Sequence, residues 1–139
     1  MHRRRGTILA AIALGGALGA PARYGVAQLV HVAKGSFPWA TFWTNITGSF
    51  ALGLVLVLIL ERFPPTRYVR PFVATGFLGA YTTYSTFAVE TDLLVRGGQA
   101  GIGVVYGLAS LVAGFVAVWA GMLVGRSFGS STRLKRGGG

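Results

Sequence analysis

The chain has 139 residues, of which 53% are hydrophobic and 12% charged, about half the roughly 25% charged content of a soluble domain. Its 13 Lys and Arg face three acidic residues, for a net charge of +10, and it has no cysteine, which excludes disulfides, thiolate metal sites and a cysteine nucleophile. With His2 and His31 at or outside the edges of apolar stretches and carboxylates only at Glu61, Glu90 and Asp92, nothing forms a catalytic triad, a paired-carboxylate centre or a metal cluster. An integral membrane protein that is not an enzyme is expected.

The first apolar stretch, 6–22, follows Arg3, Arg4 and Arg5 and ends before Arg23. It is shorter than a span needs, so a signal peptide with "GALGAPA" as cleavage site competes with an uncleaved helix. The uncleaved reading, a span over 7–30, gives an even bundle and places Arg23 near a water-filled mouth, where a charge is tolerated. Gly15 and Gly19 are spaced for close approach of backbones.

After Gly35 and Pro38 comes a second span, 39–60, within a charge-free stretch at 35–60 that exceeds the roughly 20 residues required. Asn45 stands mid-span in "TFWTNITGSF", where an amide costs free energy unless it is hydrogen-bonded or faces water. Thr41, Asn45 and Ser49 fall at i, i+4 and i+8, one polar stripe on a helix.

The third span, 68–95, follows Pro64 and Pro65 and contains "TGFLGAYTTYSTF", with six consecutive hydroxyl residues from Tyr81 to Thr86. Gly76 and Gly79 weaken a helix, and hydroxyls satisfy backbone groups that an interruption frees, so a break is predicted at 79–83. A break at membrane depth exposes carbonyls that hold a cation and amides that hold an anion. Beyond it, Tyr84 and Phe87 share a face at i and i+3, and their electropositive ring edges suit a small anion.

Gly97 and Gly98 lead into a fourth span, 102–124, where Tyr106 and Ser110 form a second polar stripe with Gly114 at the next position. The remainder, 126–139, reads as a flexible basic tail held near anionic headgroups. Taken together, the expected fold is a single all-α membrane domain of four transmembrane helices with the third broken near mid-membrane. Any one hydroxyl is ordinary interhelical glue, but three aligned sets form a lined path.

With four spans, ten Arg and Lys fall on the side of the termini and three, Arg23, Lys34 and Arg96, on the other. This bias predicts both termini of a multi-pass protein in the cytoplasm. The basic residues are dispersed over loops and tails rather than patterned on a folded face, which argues for lipid rather than nucleic acid as their partner. The path is rich in donors and has no acidic ring, favouring a small anion moving down its gradient. Four helices enclose little space, so a pore calls for a second copy.

"GGALGAPARY" at 15–24, "FWTNITGSFALG" at 42–53 and above all "GFLGAYTTYSTFAVE" at 76–90 resemble the motifs of the Fluc, or CrcB-type, bacterial fluoride channels. The resemblance covers nearly all four spans. It implies a fluoride-selective channel that passively exports cytoplasmic fluoride and protects against its toxicity, built as an antiparallel dimer of dual-topology type. Asn45, Tyr84, Phe87, Tyr106 and Ser110 would line the fluoride pathway, with Thr83, Ser85 and Thr86 as pathway or break-stabilising hydroxyls and Arg23 in a vestibule. Gly79 and Thr82 would give backbone carbonyls to a structural Na+ at the dimer centre, shared across the two-fold between antiparallel subunits and not transported.

The sequence departs from that pattern at three places: Ala80 stands where a second glycine is usual, Tyr84 where phenylalanine is usual, and Gly114 where a third hydroxyl often lies. The charge bias leaves two assemblies open, a homodimer or a heterodimer with an oppositely oriented homologue. A small proton-coupled exporter is the competing transporter, and it requires a carboxylate deep in a span. A membrane scaffold, in which the polar stripes only pack, is the alternative without transport.

Overall fold

The computed structural model describes residues 2–61 and 67–133, with side chains over 5–59 and 67–128. Arg62 in the expected middle loop and 134–139 of the expected tail lie outside the described residues. The elements are α1 (His2–Leu29), α2 (Trp39–Glu61), a π-helix π1 (Pro71–Leu78), a short α3 (Gly79–Tyr81), α4 (Tyr84–Arg96) and α5 (Ala100–Arg133), with no strand among the described residues. Gly35 (φ 76°) and Gly98 (φ 77°) take the left-handed conformation in the turns into α2 and α5, a region that glycine enters at little cost.

Among the described residues, three helices are long and apolar enough to cross a membrane: Arg5–Leu29, Trp39–Ile59 and Ala100–Phe128. The chain is a multi-pass membrane protein. The expected third span is broken within the predicted window 79–83, where the backbone leaves helical geometry at Thr82 (φ −76°, ψ 160°) and Thr83 (φ −149°, ψ 121°). The fourth expected span was drawn to Val124, yet α5 continues through Arg126 to Arg133. Its 34 residues are about 50 Å long at 1.5 Å each, more than the roughly 30 Å of hydrocarbon.

The helices pack in two principal pairs, α1 on π1 and α3, and α2 on α5, with α4 also resting on α5. In lipid there is little hydrophobic drive between helices, so close backbone contact substitutes for it. A Cβ on Gly15 would overlap the Phe72 carbonyl of π1, one on Gly19 the Phe77 carbonyl, and one on Gly121 of α5 the Phe50 carbonyl of α2. Few large apolar side chains are buried, Val57, Leu78, Leu94 and Tyr106 among them, whereas Leu14, Leu18, Val112, Phe115 and Trp119 are exposed. That inversion suits a surrounding of acyl chains, which accept apolar side chains as readily as a core does.

Candidate anion pathway beside a broken helix

The break is held from α2. The Asn45 amide donates from Nδ2 to the Thr83 carbonyl at 3.0 Å, and its Oδ1 accepts from the Thr83 N–H at 2.8 Å. A single side chain thus supplies what the interrupted ladder lacks, which is why an amide is tolerated at this depth. Among the described residues Nδ2 makes one bond, and since it carries two N–H groups one is left over there. Thr82 closes the first half by donating its hydroxyl to the Leu78 carbonyl at 2.9 Å.

Thr83 opens the second half as the N-cap of α4: its Oγ1 accepts from the Thr86 N–H at 3.1 Å and donates to Thr86 Oγ1 at 2.9 Å. Ser85 Oγ lies 3.4 Å from the same oxygen. The hydroxyl run therefore serves the two helix ends first, in the manner of caps. Tyr81 reaches across to Thr47 of α2, with 2.9 Å between the hydroxyl oxygens.

A cavity of about 340 Å³ lies between α2, the break, α4 and α5, lined by Asn45, Ser49, Thr83, Tyr84, Phe87 and Ser110 among others, with Gly79, Thr82 and Gly114 on its walls. Among the described residues, no carboxylate lines it. Ser110 Oγ is buried and has no hydrogen-bond partner among the described residues, an uncommon state for a buried hydroxyl. Tyr84 is 81% exposed and Phe87 half-buried, their ring centroids 6.1 Å apart.

Tyr106, one turn before Ser110 on α5, is completely buried. Its ring packs against Phe87 with centroids 5.1 Å apart and edge-on against Phe37 at 5.2 Å. Its hydroxyl donates to Glu90 Oε2 at 2.8 Å, while Thr41 donates to Glu90 Oε1 at the same distance. Glu90 is a residue that the sequence reading left outside the site, as a carboxylate beyond the apolar stretch. The available signal was its place on the Phe87 side of α4, three residues on.

The expected site residues do not all meet. Arg23 lines a second cavity of about 240 Å³ with Tyr24, Thr41, Thr44, Thr83 and Thr86, so Thr83 is the wall between the two. Thr86 faces the second cavity rather than the first, Tyr106 is sealed beneath Phe87, and Ser85 is exposed and lines neither.

The profile of the family described as CrcB-like protein, Camphor Resistance (CrcB), matches residues 10–122. The chain belongs to the CrcB-like family. Among its relatives, this CrcB-like chain is 48% identical over 124 residues to the fluoride-specific ion channel FluC 3 of Streptomyces avermitilis, covering 89% of this chain and 61% of the relative. It is 43% identical over 104 residues to FluC 2 of the same organism, covering 75% and 66%. With the fluoride-specific ion channel FluC of Acidobacterium capsulatum it shares 46% identity over 115 residues, covering 82% and 92%. The CrcB-like chain thus spans about two thirds or less of the two Streptomyces relatives and nearly the whole of the third.

Proposed function

We propose that this protein is a fluoride-selective channel, through which cytoplasmic fluoride leaves the cell passively and its toxicity is relieved. The observation that carries the reading is the cavity beside the break, where the unpartnered Ser110 hydroxyl and the spare Asn45 N–H stand with the Phe87 ring and no carboxylate. Fluoride is small and strongly hydrated, so its entry needs donors that replace water without an opposing charge. The relatives' names supply the anion's identity. Fluoride enters cells as HF and ionises inside, and a negative membrane potential drives the anion outward.

A four-span arrangement follows when π1, α3 and α4 together make one interrupted crossing, a form tolerated where the break is buried in protein or lines a cavity. The 10-to-3 charge bias supports cytoplasmic termini in a bacterial cell membrane. The 81% exposure of Tyr84 beside the cavity supports a second, antiparallel chain, identical or homologous, that closes the path.

The donor set at the break fits a hard monovalent cation. The Thr83 N–H, which would cap the Gly79 carbonyl in an unbroken helix, donates to Asn45 instead, and Thr82 is extended. These freed carbonyls are oxygen ligands without charge, and a bound Na+ would supply a structural crosslink there rather than a transported charge. Glu90, with both oxygens taken by hydroxyls, adds nothing to that donor set.

Efflux from liposomes loaded with fluoride or chloride, followed by an ion electrode after adding a potassium ionophore, tests the function. Fast fluoride loss with chloride retained, reduced in Asn45→Ala and Phe87→Ile, is expected of the protein alone or together with an oppositely oriented homologue. Equal loss of both anions, or silence in both preparations, refutes the reading.

A further inference from the structure

The break and α2 meet at two points one turn apart, and both bear on the Thr82–Thr83 peptide. A trans peptide unit is planar, with its N–H and C=O directed oppositely, and the chain has no cis bond among the described residues. The Thr83 N–H points at Asn45 Oδ1, 2.8 Å away. The Thr82 carbonyl belongs to the same peptide, so it is turned away from the Asn45 amide, towards the far side of the break.

The second point is Gly48. A Cβ there would overlap Thr82 Cγ2 and lie 3.2 Å from Tyr81 Cδ1. Thr82 cannot swing its methyl clear at no cost, because its hydroxyl is donated to the Leu78 carbonyl at 2.9 Å and a β-branched side chain has few χ1 wells. Gly48 is buried, and the absence of its side chain is what lets Thr82 sit against α2. Displacing Thr82 would tilt its carbonyl or stretch the two bonds from Asn45 to Thr83.

We propose that α2 positions the cation site: Asn45 turns the Thr82 carbonyl and Gly48 seats the Thr82 side chain, so both govern Na+ binding without ligating the ion. This rests on the reading of Gly79 and Thr82 as carbonyl ligands, and it assigns Asn45, which also lines the anion cavity, a second task. The consequence is a mechanical link between the anion path and the cation site through one side chain.

The test is thermal unfolding of the purified full chain against Na+, with K+ replacing it to hold ionic strength. Wild type is expected to gain Tm with Na+ at a defined midpoint. Gly48→Ala raises that midpoint at least tenfold, and Gly48→Ala with Thr82→Ser, which keeps the hydroxyl and deletes the obstructing methyl, returns it to within about threefold of wild type. Gly53→Ala, whose Cβ would meet the Val118 carbonyl of α5, lowers Tm without moving the midpoint. If Gly48→Ala does not fold, Asn45→Ala carries the same expected rise. A Na+-responsive wild type with unshifted Gly48→Ala or Asn45→Ala overturns the inference alone, whereas a wild type indifferent to Na+ over K+ removes the cation reading and the inference with it.

Discussion

Tyr106 donates its hydroxyl to Glu90 at 2.8 Å from a position with no exposure at all. The bond ties α5 to α4, and Thr41 ties α2 to the same carboxylate, so three helices converge on one side chain at the end of the ring stack formed with Phe87. A carboxylate in this setting is held by hydroxyls rather than by an opposite charge.

Tyr106→Phe keeps the ring contacts and removes one donor from Glu90. The expected cost is about 1–3 kcal/mol, the range for leaving a buried polar group short of a partner. A double-mutant cycle with Thr41→Val, read by unfolding in detergent, should give coupling above about 0.5 kcal/mol, as residues in one hydrogen-bond network do. Strictly additive costs would mean that the two hydroxyls act independently.

Ser110 and Asn45 should separate stability from conduction. Ser110 Oγ has no protein partner among the described residues, so Ser110→Ala is expected to leave Tm within about 2 °C while slowing fluoride efflux at least tenfold. Asn45→Ala loses two bonds to Thr83, so flux and Tm fall together. Unchanged flux in Ser110→Ala would count against that hydroxyl as a fluoride contact.

At the N-terminus of α4, Thr83→Val removes the acceptor for the Thr86 N–H and keeps the side-chain volume. Loss of an N-cap typically costs about 1 kcal/mol, and protection of the Thr86 and Phe87 amides against hydrogen exchange is the sensitive readout. Exchange unchanged from wild type would show that the cap is dispensable.

Gly121 and Gly107 make a matched pair on α5. A Cβ at Gly121 meets the Phe50 carbonyl, whereas nothing lies within 4 Å of one at Gly107. Gly121→Ala is expected to destabilise by about 1–3 kcal/mol through backbone displacement, and Gly107→Ala to leave the folded protomer unchanged or slightly steadier. Equal effects at both positions would remove the close α2–α5 contact as the explanation.

Much was legible in the sequence because it depends on local chemistry. Charge-free stretches of adequate length mark two of the crossing helices, α2 and α5, and glycine with a hydroxyl run marks where the third apolar segment gives way, since the Thr82 and Thr83 hydroxyls that close and cap its halves bond within four residues. Tyr84 and Phe87 at i and i+3 are read from helical period alone.

Tertiary structure decided what those groups face. Asn45 and Thr83 are 38 residues apart, Thr41 and Glu90 are 49 apart, and no periodicity within one helix encodes which helix lies opposite. In the sequence Glu90 is a carboxylate beyond the third apolar stretch, and only the fold brings Thr41 and Tyr106 to it; Thr83 and Thr86 carry one expectation, as pathway or break-stabilising hydroxyls, and only the fold sets Thr83 between two cavities with Thr86 on one of them. In a bilayer the hydrophobic pattern says which segments leave water. Close contacts between backbones, permitted at Gly15, Gly19 and Gly121, and hydrogen bonds made across them then determine which polar groups are spent on holding the fold and which remain for an ion.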